Sequence, residues 1–81
     1  MKVYSIFYYE DLEDYGIAAD CLGVFHTKED AVKKMYESFT ETKESKFATE
    51  TDPIDDYKSE DYCRILSYFD KYEWRLQEWE I

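Results

Sequence analysis

The sequence predicts an α+β fold: a small, mainly antiparallel sheet of three to four strands with one main helix on one face and a second short helix further along. Three observations lead to this fold class: strand-like runs near both ends, one amphipathic segment between them, and a length of 81 residues that supports only one core. The chain is 44% hydrophobic and 20% aromatic, far above the content of disordered acidic chains. We therefore expect one acidic domain over residues 1–81.

The first third of the chain predicts two strands. Residues 2–9 are rich in β-branched and aromatic side chains on both alternating faces, which is typical of a central strand. Residues 10–16 are charged and end in a glycine, and they predict a loop. Residues 17–26 predict the second strand, and Gly23 within it indicates a bulge or a close approach of two backbones.

Thr27 predicts the start of the main helix. Its hydroxyl can cap the first turn, where Glu29 and Asp30 meet the positive end of the helix dipole. Apolar residues follow at helical spacing and predict the face that packs on the sheet: Ala31, Val32, Met35, Tyr36 and Phe39. The helix is expected to end between residues 40 and 46, before a main loop over residues 49–56.

The last third leaves one alternative open. Tyr62, Ile65 and Phe69 have helical spacing, so a short helix over residues 59–69 is favoured narrowly over a strand. Residues 72–81 predict a final strand, with a bulge near Gln77 where the alternation changes face. Both tryptophans, at positions 74 and 79, are expected to be largely buried.

Charge is distributed unevenly along the chain. Twenty acidic residues stand against ten basic ones, a formal net charge of −10, yet residues 27–46 carry five of each sign. The electric field of this negative charge favours basic partners and repels nucleic acid and anionic lipid. The alternative is that the high net charge only keeps the protein soluble. The excess falls on two tyrosine-flanked loops, 10–14 and 50–61, which would lie side by side if their flanking elements pair. They supply the candidate partner-binding residues: Glu10, Asp11, Glu13, Asp14, Tyr15, Asp52, Asp55, Asp56, Tyr57, Glu60 and Asp61.

No motif for catalysis, a metal or a cofactor is recognisable. The acidic runs lack the ordered ligand spacing of a calcium-binding loop, and Cys21, Cys63 and His26 are too few for a structural zinc site. Buried Cys as a small apolar residue is the simpler interpretation. No carboxylate pair, phosphate-binding glycine loop or basic patch is selected by its spacing. We therefore predict no enzyme, no metal, no cofactor and no direct contact with nucleic acid or membrane.

Several short segments resemble a group of small proteins of uncharacterised function that are common in bacteria and their phages. They are Lys2-Val3-Tyr4, Tyr15-Gly16-Ile17, the run GVFHTKEDA at 23–31, and EWEI at 78–81. The resemblance covers both ends and the helix start but leaves out roughly residues 40–70. In size and acidity the chain is also similar in type to phage anti-defence inhibitors, including anti-CRISPR proteins.

The leading functional hypothesis is a non-enzymatic inhibitor, encoded by a phage or mobile element, that acts in the cytoplasm of a bacterial host. Its acidic loops would dock on the basic surface of a nucleic-acid-handling or defence protein, where phosphates otherwise bind. The alternative is an oligomeric regulator that holds a small molecule or nucleotide through cations chosen from Lys2, Arg64, Lys71 and Arg75. Homo-oligomerisation is left open in both cases.

Overall fold

A computed structural model describes residues 1–12, 16–47, 55–67 and 70–81. Five strands and one helix follow in the order β1 (Lys2–Leu12), β2 (Gly16–Phe25), α1 (Lys28–Phe47), β3 (Asp55–Lys58), β4 (Tyr62–Leu66) and β5 (Asp70–Glu80).

The strands form one sheet in the order β2-β1-β5-β4-β3, and every neighbouring pair is antiparallel. The central pair joins the first strand to the last, with Lys2 opposite Glu80 and Leu12 opposite Asp70. β2 and β3 are the two edges. The sheet therefore has a hairpin end, where β1 turns into β2 and β5 begins, and an opposite end, where β3 turns into β4.

This architecture corrects the predicted fold class, because a sheet of three to four strands with a second short helix is wrong. The segment expected as a helix over residues 59–69 instead contains β4, in which buried Cys63 and Ile65 alternate with partly exposed neighbours. Helical and strand periodicities both fit a run this short. Pairing with β5 on one side and β3 on the other satisfies the backbone of β4 and decides the outcome.

Acidic segments that were expected to be loops are also strands. β1 continues through Glu10, Asp11 and Leu12, and β3 is built from Asp55, Asp56, Tyr57 and Lys58. Aspartate has low strand propensity, so the sequence pattern favoured loops. Cross-strand pairing and partial burial of neighbouring apolar residues outweigh that preference.

Helix α1 covers one face of the sheet and forms the core with it. The buried apolar residues come from the helix and from alternate positions of β1, β4 and β5: Ile6, Ala31, Met35, Phe39, Cys63, Ile65, Tyr72 and Trp74. Trp74 is completely buried and contacts the rings of Tyr8 and Phe39 at centroid distances of 5.1 and 5.5 Å. Alternation along each strand therefore assigns one set of side chains to the helix and the other to the opposite face.

Two local predictions are confirmed. The backbone N–H of Asp30 donates to Thr27 Oγ1 at 3.2 Å, so Thr27 caps the helix. The β1–β2 register shifts between Ile6 and Phe7, which leaves Leu22 as an extra residue beside Gly23, where φ is +146°. The bulge expected near Gln77 is wrong, since the β1–β5 register is continuous through that position.

Candidate functional site

The face of the sheet opposite α1 carries no other described element, and we call it the open face. Tyr9, Glu73, Arg64 and Tyr57 lie in one row across β1, β5, β4 and β3, each opposite the next. Directly opposed residues point to the same face. Phe7, Arg75 and Tyr62 form the adjacent row. With Lys71, these residues make up what we call the open-face cluster: Phe7, Tyr9, Tyr57, Tyr62, Arg64, Lys71, Glu73 and Arg75.

Glu73 is the centre of this cluster. Its carboxylate contacts Lys71 Nζ at 2.8 Å and Arg75 Nη2 at 3.2 Å, and it accepts a hydrogen bond from the Tyr62 hydroxyl at 2.8 Å. Its side chain is only 12% exposed, whereas those of Lys71 and Arg75 are 45% and 62% exposed. One shielded carboxylate therefore orients two cations and a tyrosine on an otherwise uncovered sheet.

Arg75 and the tyrosines are stacked across the strands. The guanidinium carbon of Arg75 lies 5.9 Å from the centroid of the Tyr9 ring and 5.7 Å from that of Tyr62. The centroids of the Tyr57 and Tyr62 rings are 6.2 Å apart. Arginine above an aromatic face is attracted by the ring quadrupole. The result is a continuous aromatic and cationic surface that spans four strands.

The protonation states in the cluster are fixed by these contacts. Partial burial raises the pKa of Glu73, but hydrogen bonds from Lys71, Tyr62 and Arg75 outweigh that effect and bring it down to about 2. The hydrogen bond to Glu73 raises the pKa of Lys71. Burial, followed by the bond to Glu73, raises the pKa of Tyr62. At neutral pH the carboxylate is thus ionised, Lys71 is charged and Tyr62 keeps its proton.

A shallow concavity of about 330 Å³ borders the cluster at the hairpin end of the sheet. It is lined by Tyr9, Glu10, Asp11, Ile17, Lys71, Glu73 and Arg75. Ile17 is 78% exposed and Tyr9 is 36% exposed. This concavity therefore presents apolar contact area, the carboxylate of Asp11 from the first predicted acidic loop, and both cations that pair with Glu73.

Of the predicted partner-binding residues, Glu13, Asp14, Tyr15 and Asp52 lie outside the described residues. Glu10 and Asp11 lie on β1 at the hairpin end, and Asp55, Asp56 and Tyr57 lie on β3. Glu60 and Asp61 lie in the turn between β3 and β4 at the other end of the sheet. Tyr57 belongs to the open-face cluster and is 51% exposed.

The two acidic regions do not lie side by side. β1 and β3 are separated by β5 and β4, a lateral distance of about 14 Å at normal strand spacing. The backbone N–H of Leu76 donates to the carbonyl of Asp61, which places that turn near Ile6 rather than near Glu10. The structure therefore brings Asp11 and Tyr57 onto one face but keeps Glu60 and Asp61 apart from them.

Carboxylates of the second acidic region are paired within the protein. Lys43 forms an ion pair with Asp56, and Arg64 Nη2 lies 3.6 Å from Asp55. Lys28 at the start of α1 bridges Glu60 and Asp61 at 3.9 and 3.3 Å. The hydrogen bond from Lys43 lowers the pKa of Asp56. These carboxylates attach the helix and the edge strand to the sheet, a role the sequence pattern did not indicate.

The residues considered for nucleophilic or zinc chemistry are not brought together. Cys21 is exposed on β2, whereas Cys63 is buried beneath α1 on β4, three strands away. His26 is exposed between β2 and α1. Burial raises the pKa of the Cys63 thiol. Within the described ranges, no group of three or more His, Cys, Asp and Glu side chains is arranged to hold a metal ion.

A second groove lies between the first half of α1 and the β3–β4 turn. Its lining combines apolar contact area from Val32 and Tyr36 with charged side chains: Lys28, Glu29, Lys33 and Glu60. Lys58 Nζ lies 4.1 Å from the centroid of the Tyr36 ring and partly covers it.

In the described part of the chain, no helix is both long and apolar enough to cross a membrane.

Comparisons with protein-family models, with curated proteins and with solved structures return no match. The resemblance to small bacterial and phage proteins therefore stays a prediction.

The sequence predicted Tyr57 for one function and the cations Arg64, Lys71 and Arg75 for another, but it did not predict Glu73 as their centre or their arrangement on one face. Lys71, Glu73 and Arg75 alternate with Tyr72 and Trp74, and this period of two places the three charges on one face of β5. Arg64 and Tyr62 join them only because residues 62–66 form a strand beside β5. The alternation of charges on β5 was visible in the sequence, whereas the position of Arg64 and Tyr62 beside it required the sheet topology.

Proposed function

We propose that this protein is a non-enzymatic binding protein that occupies a basic, nucleic-acid-binding surface of a partner protein and blocks it. The observation that carries the proposal is the open-face cluster, an uncovered aromatic surface whose cations are paired with Glu73 and Asp55 and which Asp11 and Asp55 border. In the full proposal the protein is encoded by a phage or mobile element and acts in the cytoplasm of a bacterial host on a defence or nucleic-acid-handling protein.

The composition of the open face supports a protein partner. Tyrosine, tryptophan and arginine are the residues most enriched at the energetic centres of protein interfaces. Tyr57 is 51% exposed and Trp79 on the same face is 47% exposed. Stacking with Arg75 and the bond to Glu73 hold Tyr62 in place, so little side-chain entropy is lost on binding.

The charge of the chain supports a basic partner. A net charge of −10 attracts cationic surfaces over several ångströms and accelerates encounter. Asp11 and Asp55 lie at the hairpin-end border of the open face, and Asp11 lines the concavity beside Tyr9. A lysine or arginine of the partner can insert there against Tyr9 and Asp11. Occupying cations that otherwise bind phosphates would exclude nucleic acid.

The experiment first identifies a partner and then tests the surface. A photo-crosslinking residue at Tyr57, with the same residue at Glu41 on the outer face of α1 as control, is used to capture proteins from a bacterial lysate at low salt. We expect a basic protein that is crosslinked from position 57, is not crosslinked from position 41, and loses nucleic acid when this protein is added.

The affinity for that partner is then measured with matched variants. The double variant Glu10→Gln/Asp11→Asn removes two charges at the concavity, whereas Glu41→Gln/Glu44→Gln removes two from the exposed face of α1. We expect the first to weaken binding at least about tenfold and the second to change it by less than about threefold at low salt. Equal effects of the two double variants on affinity would show that only net charge matters. If the variant at the concavity kept both its affinity and its crosslink, the site would be rejected.

A second candidate function uses the same face for a small anionic ligand. Three of the four cations considered from the sequence, Arg64, Lys71 and Arg75, surround Glu73, and Arg64 Nε is buried with no hydrogen-bond partner among the described residues. Each of these cations is already paired with Glu73 or Asp55, which favours a protein partner. If native mass spectrometry showed a retained nucleotide, the small anionic ligand would be favoured over the protein partner.

A further inference from the structure

The two edges of the sheet differ in a way that bears on assembly. β3 has four residues, of which Asp55, Asp56 and Lys58 are charged. β2 has ten residues, and Asp20 is the only charged one. Short, charged edge strands resist pairing with other chains, whereas long and uncharged ones invite it. β2 therefore lacks the protection that β3 has.

β2 presents both its backbone and its side chains to solvent. Residues 16–21 are all exposed, and Ile17 and Val24 are 78% and 64% exposed. Among the described strands β2 pairs with β1 alone, so every second residue directs its N–H and C=O groups away from β1. An exposed row of main-chain donors and acceptors beside apolar side chains is a surface for strand addition. The N–H of Cys21 donates to Asp20 Oδ1 at 2.9 Å and would exchange this partner on pairing.

We propose that β2 pairs with β2 of a second copy of this chain, antiparallel and around a two-fold axis at Ala19. Directly opposed residues in an antiparallel ladder point to the same face. A two-fold axis perpendicular to the sheet must therefore lie midway between the two copies of one residue, which are paired with each other.

Charge excludes Asp20 as that residue, and Ala19 is the middle residue of the exposed stretch from Ile17 to Cys21. With the axis at Ala19, Ile17 lies opposite Cys21 of the other copy, and Ala18 lies opposite Asp20. An axis at Asp20 would place two carboxylates directly opposite each other, which is unfavourable. The five residues involved precede the bulge at Leu22 and Gly23, so they form a regular ladder. A like-charge pair is avoided even though each copy carries a net charge of −10.

The small side chains at the middle of β2 favour a second copy over a foreign peptide. Strand addition gains affinity from main-chain bonds and specificity from pockets for alternate side chains. Ala18 and Ala19 provide small side chains at the middle of the strand rather than pockets. A self-complementary row of small apolar residues fits an identical strand, and isologous two-fold pairing is the commonest symmetry of soluble oligomers.

The size of the contact predicts a concentration-dependent dimer. A ladder over residues 17–21 supplies about four to six main-chain hydrogen bonds, fewer than the roughly ten of an average interface. The product is a continuous sheet of ten strands, since each copy contributes five. Both open-face clusters then lie on the same side, so one dimer can present two copies of the surface.

The first experiment measures the oligomeric state of the full chain by sedimentation equilibrium, over concentrations on the order of 1 µM to 1 mM, which bracket the affinity of small interfaces. Ala19→Lys places two like charges at the axis, and Val24→Lys makes the same change at an exposed position of β2 outside the paired residues. We expect the wild type and Val24→Lys to dimerise and Ala19→Lys to bind its copy at least about tenfold more weakly. A wild type that stays monomeric, or equal dimerisation of both variants, overturns the proposal.

The second experiment tests the register by disulfide crosslinking. In a Cys21→Ser background, Ala19→Cys places two thiols opposite each other within the distance of about 7 Å that a disulfide allows. Ala18→Cys is the matched control, because its copies are displaced by two residues along the strands. We expect a covalent dimer from position 19 under mild oxidation and much less from position 18. Equal crosslinking at both positions would indicate random collision and overturn the proposal, and circular dichroism confirms that each variant is folded.

Discussion

The indole N–H of Trp74 donates a hydrogen bond to Ser38 Oγ at 2.9 Å and joins the centre of the sheet to helix α1. Trp74 is completely buried, so its N–H group has to find a partner inside the protein. The bond fixes the helix along its axis, because Ser38 lies next to Phe39, whose ring also contacts Trp74.

Replacing Ser38 with alanine is expected to destabilise the protein by about 1–2 kcal/mol. The buried N–H of Trp74 would lose its partner, at a cost of about 1–3 kcal/mol, offset by the few tenths that alanine gains in helix propensity. Urea unfolding followed by tryptophan fluorescence measures the change. Ser45→Ala on the exposed surface of the same helix is the control, and we expect it to be neutral or slightly stabilising.

Replacing Glu73 with glutamine is expected to reduce the pH dependence of stability. Its pKa is about 2 in the folded protein, below the value of about 4.3 expected in the unfolded chain. Its contribution is therefore present above about pH 5 and declines as the pH falls toward 2. The difference in unfolding free energy between wild type and Glu73→Gln should shrink between about pH 5 and pH 3.

Glu44→Gln is the control for this titration, because Glu44 is exposed on α1. Its difference from wild type should change little over the same pH range. A difference for Glu73→Gln that stayed constant with pH would contradict the assigned network of Lys71, Tyr62 and Arg75.

Thr27→Ala is expected to cost about 1 kcal/mol, the usual effect of losing an N-cap. The change removes the oxygen that accepts from the Asp30 N–H. Thr40→Ala, at an exposed position inside the same helix, removes the same atoms and should stabilise slightly. Thermal unfolding by circular dichroism at the helix band compares the two, and equal losses would argue against the cap.

Gly23→Ala is expected to destabilise the protein more than Gly16→Ala. Both glycines have positive φ, +146° and +88°, so alanine is strained at each. A methyl group at position 23 would also lie 3.1 Å from Cζ of the Phe25 ring, whereas none of the described atoms lies within 4 Å at position 16. We expect about 2–3 kcal/mol at Gly23 and about 1 kcal/mol at Gly16, measured by urea unfolding.

Local signals in the sequence predicted the elements that depend on their own residues. Thr27 and the spacing of Ala31, Met35 and Phe39 are sufficient to define the start and buried face of α1, and Gly23 marks the bulge. These features arise from capping geometry, helical periodicity and a backbone conformation that only glycine adopts easily.

The features that depend on strand partners were not predictable in the same way. Tyr62 and Ile65 fit a helix until β5 is placed beside them. Trp79 was expected to be largely buried, yet it is 47% exposed and donates to Ser5 Oγ at 2.7 Å on the open face. Trp79 and Trp74 lie on opposite faces of β5 in this continuous register, and only the position of α1 decides which of the two faces is covered.

The central pairing of β1 with β5 has a consequence for how the chain folds during synthesis. The pairing of these two strands joins residues at opposite ends of the sequence, such as Lys2 and Glu80. Contacts of such long separation form slowly, because loop entropy is lost before they are made. We expect the β1–β2 hairpin and α1 to leave the ribosome without their central neighbour, so that Ile6 stays accessible to chaperones until β5 has emerged.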